Sequence, residues 1–145
     1  MPETENKLLV VDDQPDLCEF ISEAARAMGF DTFAVSDPQA FRHAVEEFQP
    51  TVVVLDLQMP GVDGIELLRY LGERGSKAHV LVASGMDQRV LATAQQLGRS
   101  QGLNMLGALQ KPILLEDLES TLRRCLRGES PLTLETLRAA LERHE

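Results

Sequence analysis

The run TVVVLD at 51–56 does most to limit what this chain can become. Four β-branched residues and a leucine in succession favour a strand, and Pro50 bounds it in front. No polar residue alternates with the apolar ones before Asp56. A strand that is apolar on both sides must be covered on both sides, which is the condition of a central strand in a parallel sheet under helices.

The rest of the chain alternates in the same way. KLLVV (7–11), DTFAV (31–35), AHVLVA (78–83) and LNMLGAL (103–109) read as four further strands. Between them the apolar period changes to that of a helix. Over 14–28, Leu17, Phe20, Ile21, Ala24 and Met28 share one stripe, and Gly29 ends it. From about 38 to 48, Phe41, Ala44, Val45 and Phe48 share a second, with Asp37 placed to cap it. After the turn QMPGVDG (58–64), Ile65, Leu68 and Leu71 mark a third helix. Val90, Leu91, Ala94 and Leu97 mark a fourth, beyond the break SGMD. After Lys111-Pro112, the residues Leu115, Leu118, Leu122, Cys125 and Leu126 mark a fifth. Five strands alternating with five helices through short connections predict an α/β domain: a parallel sheet with helices on both faces and right-handed crossovers.

The first domain is expected to end near residue 127. GESP then reads as a linker, and Leu134, Leu137 and Leu141 recur at helical spacing, with Ser130 as a candidate cap and Pro131 at the first helical position. Two readings of 128–145 stand side by side: a linker and helix leading to an absent output domain, or a sixth helix docked on the first domain.

A chain of 145 residues fits one domain, and its 43% hydrophobic and 26% charged residues are ordinary for a globular protein. Lys plus Arg number 14 against 23 Asp plus Glu, a net charge of −9. That balance argues against a nucleic-acid phosphate backbone as partner and suits a bound cation. No apolar run is long enough for a membrane span, and the polar start MPETENK has no signal-peptide core, so the expected compartment is the cytoplasm. Cys18 and Cys125 form no CxxC pair and are expected to be buried thiols.

Function in such sheets sits outside the carboxyl ends of the strands. The strand assignments bring Asp12, Asp13, Asp56, Ser84 and Lys111 to that one rim. Singly, each has a plain explanation. A strand-end Asp usually caps the next turn, an acid pair is usually a solvated turn, and Lys before Pro is usually solvated. Together they put three carboxylates, a hydroxyl and an ammonium around one crevice. Three acids within reach of one another repel unless a cation intervenes. Hard oxygen ligands of this kind suit Mg2+, and the backbone carbonyl of Gln58 could add one more oxygen. Lys111 and Ser84 are the point charge and hydroxyl donor that a phosphoryl group's outer oxygens require. A cis Lys111-Pro112 bond would aim the lysine inward; the sequence leaves that open.

VVDDQ (10–14), VVLDLQMPGVDG (53–64), ASG (83–85) and KP (111–112) stand in the order and spacing of a known family. Over about residues 6–127 the chain resembles a bacterial two-component response-regulator receiver domain. The resemblance implies a flavodoxin-like fold with strand order 2-1-3-4-5, in which Asp56 is the phosphoacceptor for a phosphoryl group from a phosphohistidine. It implies that Asp13, Asp56 and the Gln58 carbonyl ligate Mg2+, with Asp12 acting largely through water. It further implies that Lys111 pairs with a phosphoryl oxygen and that Ser84 bonds the group once formed. The implied partner is a sensor histidine kinase or phosphotransfer protein. The face made by the fourth helix, fifth strand and fifth helix would pair copies or meet an output domain. The implied activity is self-phosphorylation from a phosphodonor and slow autodephosphorylation, not that of an enzyme acting on a separate substrate.

Two positions depart from the family or leave it open. Ala108 stands where the family usually has Tyr or Phe, which removes the ring whose movement would report phosphorylation and leaves the chemistry in place. Gln58, two residues after Asp56, could orient or block a hydrolytic water. With LNMLGALQKP and the tail, the missing aromatic resembles receivers placed ahead of cyclic-di-GMP phosphodiesterase (EAL) domains; residues 1–145 themselves should not hydrolyse a cyclic dinucleotide. Three rival readings fit less well. A pseudo-receiver would use the fold for interaction alone, but all five active-site positions are filled. An aspartyl phosphatase would want DxD after the first strand. A flavin carrier would want a hydroxyl- and glycine-rich loop in place of the acidic DDQPD.

Overall fold

The computed structural model describes residues 6–85 and 87–126. In chain order the elements are β1 (Lys7–Val11), α1 (Pro15–Ala27), β2 (Asp31–Val35), α2 (Pro38–Glu47), β3 (Val52–Asp56), β4 (Gln58–Met59), β5 (Val62–Asp63), α3 (Gly64–Glu73), β6 (His79–Ser84), α4 (Gln88–Ser100), β7 (Asn104–Gln110) and α5 (Leu115–Leu126). Five strands form one parallel sheet in the order β2-β1-β3-β6-β7. This is the expected order 2-1-3-4-5 once the two-residue antiparallel pair β4 and β5 is set aside.

The absence of polar alternation in the central strands has a direct structural cause. Successive side chains of a strand point to opposite faces. Leu9, Val11, Val53, Leu55, Val80 and Val82 enter one core with Phe41 of α2, Leu68 and Leu71 of α3 and Leu91 of α4. Leu8, Val10, Val52, Val54 and Leu81 enter the other with Ile21 and Ala25 of α1 and Leu118 and Leu122 of α5. Both faces are covered, so neither tolerates a polar side chain.

The strand and helix expectations hold to within a residue or two, and several caps explain the helix starts. The Asp37 carboxylate accepts from the Ala40 N–H at 2.8 Å, as expected. Asp63 and Asp87 do the same for α3 and α4. Gly64 meets a tighter demand: a Cβ there would lie 2.6 Å from the Leu57 backbone, so only glycine lets α3 start against the loop that follows Asp56.

Three stripe assignments need correction. Val90 and Leu115 are 38% and 47% exposed rather than in the core. Both lie in the first turn of their helix, outside the two clusters. Leu97 is partly buried and packs against neither cluster. The cysteines are partly buried rather than fully so. Burial still pushes the Cys125 thiol up to about 11, against the pull of Arg124. No helix among the described residues is long and apolar enough to cross a membrane. The expected linker and helix at 128–145 lie outside the described residues.

Candidate functional site

At the carboxyl end of the sheet, β1 delivers Asp12 and Asp13, β3 ends in Asp56, β6 ends in Ser84, and Lys111 follows β7. The structure brings all five to one rim, as the strand ends predicted. Asp12, Asp56 and Ser84 are buried, at 3%, 1% and 0% exposure, whereas Asp13 is exposed. One carboxylate oxygen from each of Asp12, Asp13 and Asp56 lies within 4.8 Å of the others.

Each of the two buried acids is held by backbone as well as by charge. The Gln14 N–H donates to Asp12 Oδ1 at 2.9 Å, and the Gln58 N–H donates to Asp56 Oδ1 at 2.9 Å. Both are turns in which an Asp accepts from the amide two residues on. The Lys111 ammonium donates to Asp12 Oδ2 at 2.9 Å. It also lies 3.1 Å from Asp56 Oδ2, as an ion pair without hydrogen-bond geometry. Asp56 Oδ2 is thus a buried oxygen that accepts no hydrogen bond. Most buried polar atoms in proteins are satisfied, so this one points to a group the site is built to receive.

Lys111 reaches the acids from a strand tied to the same rim. Its N–H donates to the Ser84 carbonyl at 2.8 Å, and its peptide bond to Pro112 is cis. Its ammonium points inward, to Asp12 and Asp56.

The electrostatics follow from burial and crowding. Burial pushes the Asp56 carboxyl above its ordinary value; the Gln58 N–H draws it down, the Asp12 charge pushes it up again, and Lys111 opposes both rises. Burial alone would draw Lys111 down, but its hydrogen bond to Asp12 and its pairing with Asp56 outweigh that and hold it above the ordinary lysine value. Three acids against one ammonium leave negative charge in excess. A divalent cation with a preference for oxygen fits this donor set.

Two neighbours were not picked out from the sequence. The Cys18 thiol donates to the Asp12 carbonyl at 3.4 Å, and burial followed by the Asp12 charge pushes that thiol up. The Gln14 side chain reaches Lys111. Neither left a signal in the apolar periodicity. A groove of about 750 Å³ runs beside the rim, between Leu17 and Phe20 of α1 and Lys111 to Ile113.

Comparison with known proteins agrees with this geometry. The family model described as "Response regulator receiver domain" matches residues 8–123. The C4-dicarboxylate transport transcriptional regulatory protein DctD of Pseudomonas aeruginosa is 33% identical over 146 residues, covering 99% of this chain and 30% of that protein. The transcriptional regulatory protein TctD of Salmonella typhimurium is 34% identical over 124 residues, covering 83% of this chain and 52% of that protein. The chain therefore spans about a third to a half of the length of these curated relatives. Among solved structures, a response regulator from Colwellia psychrerythraea superposes with a TM-score of 0.72 at 32% identity, covering 87% of this chain and all of that one.

Proposed function

We propose a function from the premise that the chain belongs to the response regulator receiver domain family, which serves two-component signalling: it takes a phosphoryl group onto Asp56 from a phosphohistidine. One observation carries this reading. Asp56 Oδ2 is buried, accepts no hydrogen bond and lies 3.1 Å from an ammonium. Oδ1 already holds the Gln58 N–H, whereas Oδ2 is held only by the charge of Lys111.

In the step itself, the Asp56 oxygen–phosphorus bond forms as the nitrogen–phosphorus bond of the donor imidazole breaks, and the electron pair returns to that nitrogen. Lys111 holds an outer phosphoryl oxygen by its charge. The Ser84 hydroxyl, at the end of the adjacent strand, bonds another after transfer. Asp12, Asp13, Asp56 and the Gln58 carbonyl are the groups that would hold Mg2+, which supplies neutralising positive charge when bound. The excess negative charge of the rim supports that assignment.

The donor would be a sensor histidine kinase or a phosphotransfer protein. The groove along Leu17, Phe20 and Ile113, with Leu114 58% exposed next in the chain, offers it an apolar seat beside Asp13 and Lys111. The α4, β7 and α5 face is the reading for contacts between copies. The net charge of −9 favours no direct contact with nucleic acid. A cytoplasmic location suits this family and the lack of a long apolar helix among the described residues, and the resemblance to receivers ahead of cyclic-di-GMP phosphodiesterase domains is all that supports such an output domain.

Calorimetry with Mg2+, followed by beryllofluoride titration, tests the reading. Wild type should bind beryllofluoride only when Mg2+ is present, and Asp56→Asn should bind none. A wild type that binds neither ion would make the domain an interaction module.

A further inference from the structure

The Lys111 ammonium has three N–H donors, and three oxygens stand around it. Asp12 Oδ2 is 2.9 Å away, Asp56 Oδ2 is 3.1 Å away and Gln14 Oε1 is 3.4 Å away. The first two are carboxylates, and Asp12 is among the groups that would hold a divalent cation. The third belongs to a neutral carboxamide. It is also the longest of the three contacts, because the acids draw the ammonium toward themselves.

Gln14 is anchored where it can keep that place. Its own N–H is fixed to Asp12 Oδ1 at 2.9 Å, and Pro15 follows it as the first residue of α1. Its side chain makes no cap bond to the helix, so the carboxamide is not committed elsewhere in that role. A cation seated on the Asp12 carboxylate repels the Lys111 ammonium from that oxygen. The lysine stem is flexible, and its side chain is 18% exposed, so water would compete for it.

We propose that Gln14 is a positioning residue: its carboxamide oxygen keeps the Lys111 ammonium beside Asp56 when a divalent cation takes the Asp12 carboxylate. A neutral acceptor suits the task, since it holds the ammonium without adding to the crowded negative charge. The inference deepens the phosphoacceptor reading and rests on it. The long Gln14–Lys111 contact should shorten once Lys111 leaves Asp12.

The test uses the full chain saturated with Mg2+ and two variants, Gln14→Met, which keeps the length and removes the acceptor, and Gln14→Glu, which restores an oxygen. Hydrogen exchange at the Lys111 ammonium, read by NMR, should be about fivefold faster in Gln14→Met, the worth of one modest hydrogen bond. Labelling by acetyl phosphate should slow by a similar factor, with the Mg2+ dissociation constant within about twofold of wild type. Gln14→Glu should restore the slow ammonium exchange. Unchanged ammonium exchange in Gln14→Met would overturn the proposal, as would a loss of Mg2+ affinity equal to the loss of labelling. If wild type takes no phosphoryl group at all, the phosphoacceptor reading falls, and the exchange measurement still decides what Gln14 does for Lys111.

Discussion

Strands β3 and β7 are both parallel neighbours of β6, yet they are built to opposite standards. All five residues of β3 are buried, and its register with β1 and β6 runs without a break. In β7 six of seven residues are only partly buried and the last is exposed. Its register slips, because Val80 pairs with Met105 and Leu81 with Gly107, so Leu106 has no partner in the ladder. Gly107 takes φ +157° there, and the Leu106 carbonyl accepts instead from Arg124 Nη2 of α5 at 2.7 Å. β3 ends in the acid to be modified, and β7 leads to the lysine that faces it. The reacting oxygen is thus set by a fully buried central strand, while its counter-charge arrives on a bulged, partly exposed edge strand.

Truncation should expose this difference most strongly. Leu55→Ala, at a fully buried β3 position, should cost about 2–5 kcal/mol in urea unfolding. Leu106→Ala, at the bulge of β7, should cost about 1 kcal/mol, because its side chain is only partly buried. Equal costs would mean that the two strands share one standard of packing.

The next effect concerns the end of β3. The Asp56 carboxyl is raised by burial, so its protonated form is favoured in the folded chain. A raised carboxyl gives stability that is complete below the unfolded value of 3.8 and is lost as pH rises through the folded value. At neutral pH the ionised Asp56 is therefore a cost. Asp56→Asn should be more stable than wild type at pH 7 by about 1 kcal/mol, with the gap closing as the pH falls toward the carboxylate range. A variant that is less stable at pH 7, or a gap that widens on acidification, would contradict a carboxyl raised by burial.

The smallest effect is expected on the other side of the comparison. Ala108 lines a shallow cavity of about 210 Å³ with Gln88, Leu91, Ala92, Gln95 and Gln110. Ala108→Phe should find room there and change stability by no more than about 0.5 kcal/mol. A loss of several kcal/mol would show that β7 is packed as tightly as β3.

These contrasts also mark how far the sequence could be read. β3 was legible because its burial on both faces leaves a run with no polar residue, and the acid that ends it marks the rim. Asp12, Asp13, Ser84 and Lys111 were legible for the same reason, since each follows or ends a strand that could be placed. Val90 and Leu115 were misread because helical spacing identifies a stripe but not where a stripe outruns its partner. The bulge at Leu106 was not legible, because a register slip is a property of two strands and not of one. Gln14 was not either: its hold on Lys111 joins residues 97 apart in the chain, and a glutamine beside an acid pair looks like any solvated turn.

Intact-mass spectrometry after incubation with acetyl phosphate and Mg2+ tests the central claim most directly. Wild type should gain one phosphoryl group, while Asp56→Asn, and wild type stripped of Mg2+ by a chelator, should gain none. Undiminished labelling of Asp56→Asn would place the acceptor on another residue and contradict the assignment of Asp56.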